Sequence, residues 1–382
     1  MLTRYHKGPD GKPVKKALVY TAQEHGIQVR DLDQDAVRIV KRLRDNGHDA
    51  YIVGGAVRDL LLSKRPKDYD IVTDAQPARI KKIFYRSRII GRRFRLVHVY
   101  AGPKIYEVST FRSIASGTIG NEYGTIDDDA KRRDFSINAL YYDPVGNTIV
   151  DYVHGMKDFK AQRIVPVIPL KTIFKEDPVR MLRAIKYSVG TGFAMVLPVR
   201  MAIRKHASLL TTASTSRLGE EAMKIISGGR CLPICRELFK YKLLDAILPS
   251  FANLFRRNDE VCNKLESRLL EMDEHVHRTA EKTLSILLTF ILSVPVEEAA
   301  EIPAVDTAEA YHNALQASRD FLLPVTLPRI DVEKAVRANF IAPEPKSKVR
   351  KPRKRRRRPR RSESSAGEAQ NGAASDASSL DT

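Results

Sequence analysis

GGAVRDLLLSKRPKDYD, residues 54–70, decides how this chain folds. The apolar run AYIV at 50–53 stops at two glycines, and AVRDLLLSK behind them has helical spacing. Strand, tight turn and helix is the order predicted. At the far end, Asp68 and Asp70 lie two apart in the strand pattern KDYDIVT, so both carboxylates project from one face while Tyr69 and Ile71 go to the other. Two carboxylates so close repel unless a cation sits between them. Mg2+ meets that need, because one or two carboxylates hold it while substrate phosphate oxygens complete its shell. Gly54 and Gly55 stand between strand and helix, where missing Cβ atoms and free N–H groups admit a phosphate. Arg58, one turn into the helix, offers a fork of donors to the same oxyanions. Singly, Gly-Gly before a helix is a turn and Asp-x-Asp a solvated edge. Together, within 17 residues, they describe a triphosphate site.

Working outward, Ala36, Val37, Val40 and Leu43 have helical spacing, with Asp33 as N-cap and Gly47 past the end. Residues 1–30 are mixed and polar and read as an arm. Downstream, RLVHVYA and KIYEVSTF pair across a Gly102-Pro103 turn, and ALYYD followed by NTIVDYV gives further strands. The fold class expected is α+β: a mixed sheet with helices on one side over 31–168, then helices alone. FKEDPVRMLRAIKYSV, SRLGEEAMKIIS, CLPICRELFKYKLLDAIL and HRTAEKTLSILLTFILSV carry that helical periodicity over 169–255 and 256–343. From 344 to 382 the composition changes: residues 346–361 hold 12 Lys or Arg and no acid, ahead of a Ser/Ala/Gly/Asp tail, and disorder is expected.

The formal charge of +20 over 382 residues points to a polyanionic partner, and residues 1–345 still carry about +12. The first residues hold no apolar leader, and no stretch approaches the length that spans a bilayer, so no membrane association and a cytoplasmic location are expected. The three cysteines, Cys231, Cys235 and Cys262, fit a reducing compartment, and no further ligand follows at zinc spacing. They read as small core hydrophobes.

GGAVRD followed by KDYD resembles the signature of the class II branch of the polymerase-beta-like nucleotidyltransferases, which includes tRNA CCA-adding enzymes and bacterial poly(A) polymerases. The resemblance covers most of residues 20–260. It implies a catalytic head over 31–168 and a helical neck over 169–255 that binds the nucleotide base and RNA. RRDFSINAL, residues 132–140, is similar to the motif whose Asp completes the catalytic acidic set and whose Arg and Asn contact nucleotide sugar and phosphates, which carries those roles to Asp134, Arg133 and Asn138. Glu107, in EVSTFR, competes as third carboxylate, and the sequence leaves that choice open. EDPVRMLRA, residues 176–184, resembles the segment that reads the incoming base through an Asp and an Arg. Asp177 and Arg180 stand at i and i+3 on one expected helical face, with Arg183 one turn beyond; Asp177 before Pro178 also fits an N-cap.

IIGRRFRLVHV, residues 89–99, resembles the stretch that marks bacterial poly(A) polymerases, and its Arg92, Arg93 and Arg95 read either as a solvated strand face or as a row lying along RNA. Arg355, Arg356, Arg357 and Arg358 would grip RNA phosphates without reading sequence. The helical region after 260 is shorter and more divergent than the family leads one to expect. The activity implied is template-independent addition of AMP from ATP to RNA 3′ ends with two Mg2+ ions, as in messenger polyadenylation and decay. CCA addition to tRNA is the alternative within the family. A noncatalytic RNA-binding protein is opposed by the intact acidic set, and a metal-dependent glycosyltransferase has no place for RRDFSINAL or EDPVRMLRA.

Overall fold

AYIV forms a short central strand, and the sheet is built around it. The structure, a computed structural model, describes residues 2–7, 13–91, 95–113, 122–257, 259–302 and 304–340. Among these, nine strands make one sheet: β1 (Leu2–Lys7), β2 (Pro13–Tyr20), β3 (Ala50–Val53), β4 (Asp70–Thr73), β5 (Ser87–Ile90), β6 (Leu96–Ala101), β7 (Lys104–Thr110), β8 (Leu140–Asp143) and β9 (Thr148–Asp151). Their order is β1-β2-β9-β8-β3-β4-β7-β6-β5. Neighbours are antiparallel except β4 and β7, which run parallel.

The sheet corrects one expectation. Residues 2–7 and 13–20, read as an arm, are its edge hairpin, and β2 pairs with β9 from Leu18 to Tyr20. A short helix, α1 (Ala22–His25), follows. Then comes α2 (Gln34–Asp45), which begins where Asp33 accepts the Asp35 and Ala36 N–H groups. With α3 (Gly55–Leu61) and α4 (Pro77–Ile83), α2 buries Val40, Leu43, Val57 and Ile80 against Ile52, Ile71, Val97 and Val108. The opposite face is covered in part by α5 (Ile126–Lys131), whose Ala130 packs on Tyr51, Val53 and Tyr141. After β9, α6 (Gly155–Lys160) starts where Asp151 accepts the Gly155 and Met156 N–H groups.

The rest is helical: α7 (Ile173–Glu176), α8 (Arg180–Thr191), α9 (Leu197–His206), α10 (Thr215–Ile226), α11 (Cys231–Lys240), α12 (Leu244–Ile247), α13 (Pro249–Arg257), α14 (Glu260–Arg278), α15 (Leu284–Ala300), α16 (Thr307–Leu322) and α17 (Arg329–Asn339). A two-residue parallel pair, β10 (Arg163–Ile164) with β11 (Ala194–Met195), interrupts it. HRTAEKTLSILLTFILSV does not run as one helix, because the chain leaves α14 at Thr279 and enters α15 at Leu284. Leu287, Leu288, Ile291 and Leu292 of α15 are all buried, so this apolar helix lies in the middle of the helical core. Cys231, Cys235 and Cys262 are buried too, with Cys231 and Cys235 Sγ atoms 3.8 Å apart.

Phe135 and Ile137 come from the sheet half of the chain but pack in the helical core with Phe174, Met181 and Ile185. Fully burying such a side chain contributes about 1.5–3 kcal/mol. RRDFSINAL is thereby pinned where the sheet meets the helices, and its polar residues are held at that seam.

Candidate active site

Register brings the decisive segment together. Val53, the last residue of β3, pairs with Asp70, the first of β4, and Asp70 pairs on its other side with Glu107 of β7. Asp68 lies two residues before β4, because β3 ends at Val53 and offers no ladder partner beyond it. It still lines the same cleft as Asp70, while Tyr69 and Ile71 are buried on the other side. Gly54 follows Val53 with φ +70 and ψ −131, a conformation open to glycine. A Cβ there would stand 3.5 Å from Asp70 Oδ2 and 3.7 Å from an Arg133 nitrogen, so the turn forms one wall of the carboxylate site.

Burial first, then the neighbouring carboxylates of Glu107 and Asp68, push the Asp70 carboxyl above the usual range, with Arg133 and Lys224 pulling the other way. This is the electrostatic state of a site that gains from a divalent cation. Among the described residues no three His, Cys, Asp or Glu side chains are gathered closely enough to hold a metal ion by themselves. The acidic set is open, which suits a hard cation whose remaining ligands come from substrate phosphate.

Asp134, expected to complete that set, lines the same cleft with its carboxylate engaged by neighbouring donors. Its Oδ2 accepts from Arg183 Nε at 2.7 Å, and its Oδ1 accepts the Phe135 N–H at 2.8 Å and Asn138 Nδ2 at 3.5 Å. Burial opposes its charge, but Arg183 outweighs it and holds the carboxyl below the usual range. Asn138 Oδ1 in turn accepts from Arg58 at 2.9 Å. Arg183, Asp134, Asn138 and Arg58 thus form one chain from the helices to the glycine turn. Ser136–Asn138 is a single 3-10 turn.

Arg133 is aimed by Asp129, which is fully buried and accepts from Arg133 at 3.0 Å, from Arg132 at 2.7 Å and from Tyr141 Oη at 2.8 Å. Burial would raise this carboxyl, yet the two guanidinium groups and the tyrosine hold it down at about 2.

Asp177 stands outside the helix: α8 begins at Arg180, and Asp177 closes the short α7. Its Oδ1 accepts the Val179 N–H at 3.2 Å, and its Oδ2 accepts from Arg217 of α10 at 2.5 Å and lies 3.7 Å from Arg180 Nε. Pro178 has no N–H to continue α7, which is why the chain breaks here and turns the carboxylate inward.

These groups line one cleft of about 890 Å³, which takes in Gly54, Gly55, Arg58, Asp68, Asp70, Arg133, Asp134, Asn138, Asp177, Arg180 and Arg183. Arg95 is exposed and outside it, while Arg92, Arg93 and Arg355 to Arg358 lie outside the described residues. Twelve Lys or Arg and six carboxylates line the cleft, a cation excess that matches a triphosphate and an RNA end.

Several of those cations were not singled out from sequence. Lys64 donates to the Gly190 carbonyl and Lys67 to that of Ser227, both at 3.2 Å, where α8 and α10 end. Lys186 is ion-paired with Glu221, and burial pulls its ammonium below the ordinary value. The Tyr187 ring has Arg58, Arg183 and Lys186 within 5.4 Å of its centre. The helical periodicity of FKEDPVRMLRAIKYSV was the available signal for Lys186 and Tyr187, one turn beyond Arg183.

Residues 50–165 match the family described as the poly A polymerase head domain, and residues 192–255 that described as the probable RNA- and SrmB-binding site of polymerase A. Poly(A) polymerase I of Escherichia coli is 34% identical over 326 residues, covering 81% of this chain and 70% of that protein. The CCA-adding enzyme of Geobacillus stearothermophilus is 35% identical over 231 residues, covering 57% of this chain and 55% of that protein. Among solved structures, the Bacillus stearothermophilus CCA-adding enzyme in complex with CTP aligns with a TM-score of 0.52 at 28% identity, covering 80% of this chain and 82% of that one.

Proposed function

This chain belongs to the family of bacterial poly(A) polymerases, and on that premise we propose that it adds AMP residues from ATP to RNA 3′ ends without a template. It is a nucleotidyltransferase with an RNA-binding region. The observation that carries the adenylate reading is the extent of likeness: the poly(A) polymerase relative aligns over 81% of the chain and the CCA-adding relative over 57%.

Asp68, Asp70 and Glu107 are the residues that would hold Mg2+, since Glu107 is the carboxylate in register with Asp70 and both oxygens of Asp134 are engaged elsewhere. Two such ions, when bound, neutralise the triphosphate and lower the pKa of the RNA 3′-hydroxyl. Arg58 and Arg133 meet triphosphate oxygens across the Gly54 turn. Asp134, through Arg183 and Asn138, fixes the nucleotide between sheet and helices. Asp177, steadied by Arg217, and Arg180 offer acceptor and donor edges to the adenine. The 3′-hydroxyl oxygen bonds to the α-phosphorus in line as pyrophosphate leaves. The chain forms no covalent bond with substrate and works by positioning and charge stabilisation. No helix among the described residues is long and apolar enough to cross a membrane, and we place the enzyme in the cytoplasm with its RNA and ATP.

The test is primer extension with Mg2+, an unstructured oligo(A) primer and each of the four nucleotides in turn. Repeated addition of AMP, with CTP used poorly, is expected. Equal use of CTP, ending after CCA on a tRNA primer, would move the activity to the other branch of the family.

A further inference from the structure

Four side chains stand in one row across the sheet, starting in the active site. Asp70 is in register with Glu107 on β7, Glu107 with His98 on β6, and His98 with Arg88 on the edge strand β5. His98 Nε2 lies 3.7 Å from Glu107 Oε1. Alternation along each strand puts Ile105 and Ser109 of β7, and Leu96 and Tyr100 of β6, on the same face. The intervening Val97, Val99, Tyr106 and Val108 are buried with α2, α3 and α4, so this face looks away from those helices.

Leu96, Glu107 and Ser109 already line the active-site cleft. Further out the face opens to solvent: Tyr100 is 37% exposed, Ile105 is 54% exposed, and Arg88 is exposed. Arg86, whose carbonyl accepts the Tyr100 N–H at 3.0 Å, adds a second exposed cation at that end.

Resting on the activity proposed above, we infer that this open face of β5, β6 and β7 carries the last nucleotides of the RNA primer to the α-phosphate. Tyr100 gives a stacking surface flanked by Ile105, and Arg86 and Arg88 meet backbone phosphates. Three things commit the face to single-stranded RNA. It is continuous with Asp70, which the primer hydroxyl must reach. From β4 to β5 it spans three strand spacings, about 14 Å, which is the rise of roughly four stacked nucleotides. Its composition, an aromatic ring with guanidinium groups, grips any base by its π-face and any phosphate by charge, as template-independent extension requires.

The experiment uses the full chain and an oligo(A) primer carrying a photoreactive thiolated uridine next to its 3′ end. Crosslinks are expected on the peptide that contains His98 and Tyr100. In steady-state extension, Tyr100→Ala is expected to raise the primer KM about fivefold or more, with Tyr100→Phe restoring it, and Arg88→Glu to raise it about tenfold, while the KM for ATP stays within about twofold. Crosslinks confined to the helical half, or a primer KM unchanged within about twofold in both Tyr100→Ala and Arg88→Glu, would overturn the inference. A wild-type chain that extends no primer would sink the activity instead, and the crosslink map would still decide whether RNA lies on this face.

Discussion

Asp70 pays for its place in the cleft. Burial and the carboxylates of Glu107 and Asp68 raise its carboxyl above the ordinary value of 3.8. A group that holds its proton more tightly when folded weakens the fold progressively as pH rises above its unfolded pKa, until the folded group has ionised too. Asp70→Asn is therefore expected to raise the metal-free urea midpoint at pH 7 while lowering AMP incorporation at least about 10³-fold. Mg2+ should raise the midpoint of the wild-type chain and leave that of the variant unmoved. A metal-free variant less stable than wild type would contradict the crowding of carboxylates.

Asp129 has the opposite sign. Its carboxyl is held down at about 2 against an ordinary 3.8, so its contribution is complete above the ordinary value and is lost as pH falls from there toward 2. Asp129→Asn is expected to cost about 3 kcal/mol at pH 7, since it leaves the buried side of Arg133 unpaired, with the gap to wild type closing across that acid window. Urea titrations at pH 7 and on the acid side measure both. At this scale the glycine pair, Arg58, Asp68 and Asp70 were legible because they are neighbours in sequence. The surroundings of Glu107 and Asp134 were not, because they depend on the parallel register of β4 with β7 and on an ion pair between Asp134 and a residue 49 positions on.

Among the elements, the turn between β3 and α3 sets the distance from phosphate to carboxylate. Gly54→Ala places a side chain at φ +70 and ψ −131, and strain of about 1–3 kcal/mol is expected there. The Cβ itself meets ordinary contact distances, so the loss comes from the backbone, and a shifted turn should appear as a raised KM for ATP with the primer KM unchanged. Equal affinity for ATP in Gly54→Ala would remove the turn from the phosphate site. The strands read correctly from sequence, β3, β4, β6, β7, β8 and β9, alternate or run apolar because a core covers at least one face. Those missed, β1, β2 and β5, lie at the two ends of the sheet, where LTRYHK and SRII carry the polar and charged residues that edges tolerate. Asp177 lies ahead of α8 rather than within it, as its place before Pro178 allowed, with Oδ1 accepting the Val179 N–H and Oδ2 left to meet Arg217.

Taken as a molecule, the chain divides its positive charge between the cleft and residues 346–361, which hold 12 cations. Deleting 344–382 is expected to weaken RNA binding and to flatten its salt dependence by about 0.7 in the log–log slope for each phosphate contact removed, with the KM for ATP unchanged. Binding titrations over a series of salt concentrations check this, and an unchanged slope would show that the tail holds no RNA. Charge alone marks a polyanion binder. The assignment of chemistry rests on the meeting of two segments far apart in sequence, GGAVRDLLLSKRPKDYD and EVSTFR, on neighbouring strands in the middle of the sheet.

AMP incorporation by single carboxylate variants tests that meeting most directly. Rates near background are expected for Asp70→Asn and Glu107→Gln, whereas Asp134→Asn should keep measurable turnover with a raised KM for ATP, because it acts through Arg183. Full activity in Glu107→Gln beside a dead Asp134→Asn would contradict the account, and so would undiminished activity in Asp70→Asn.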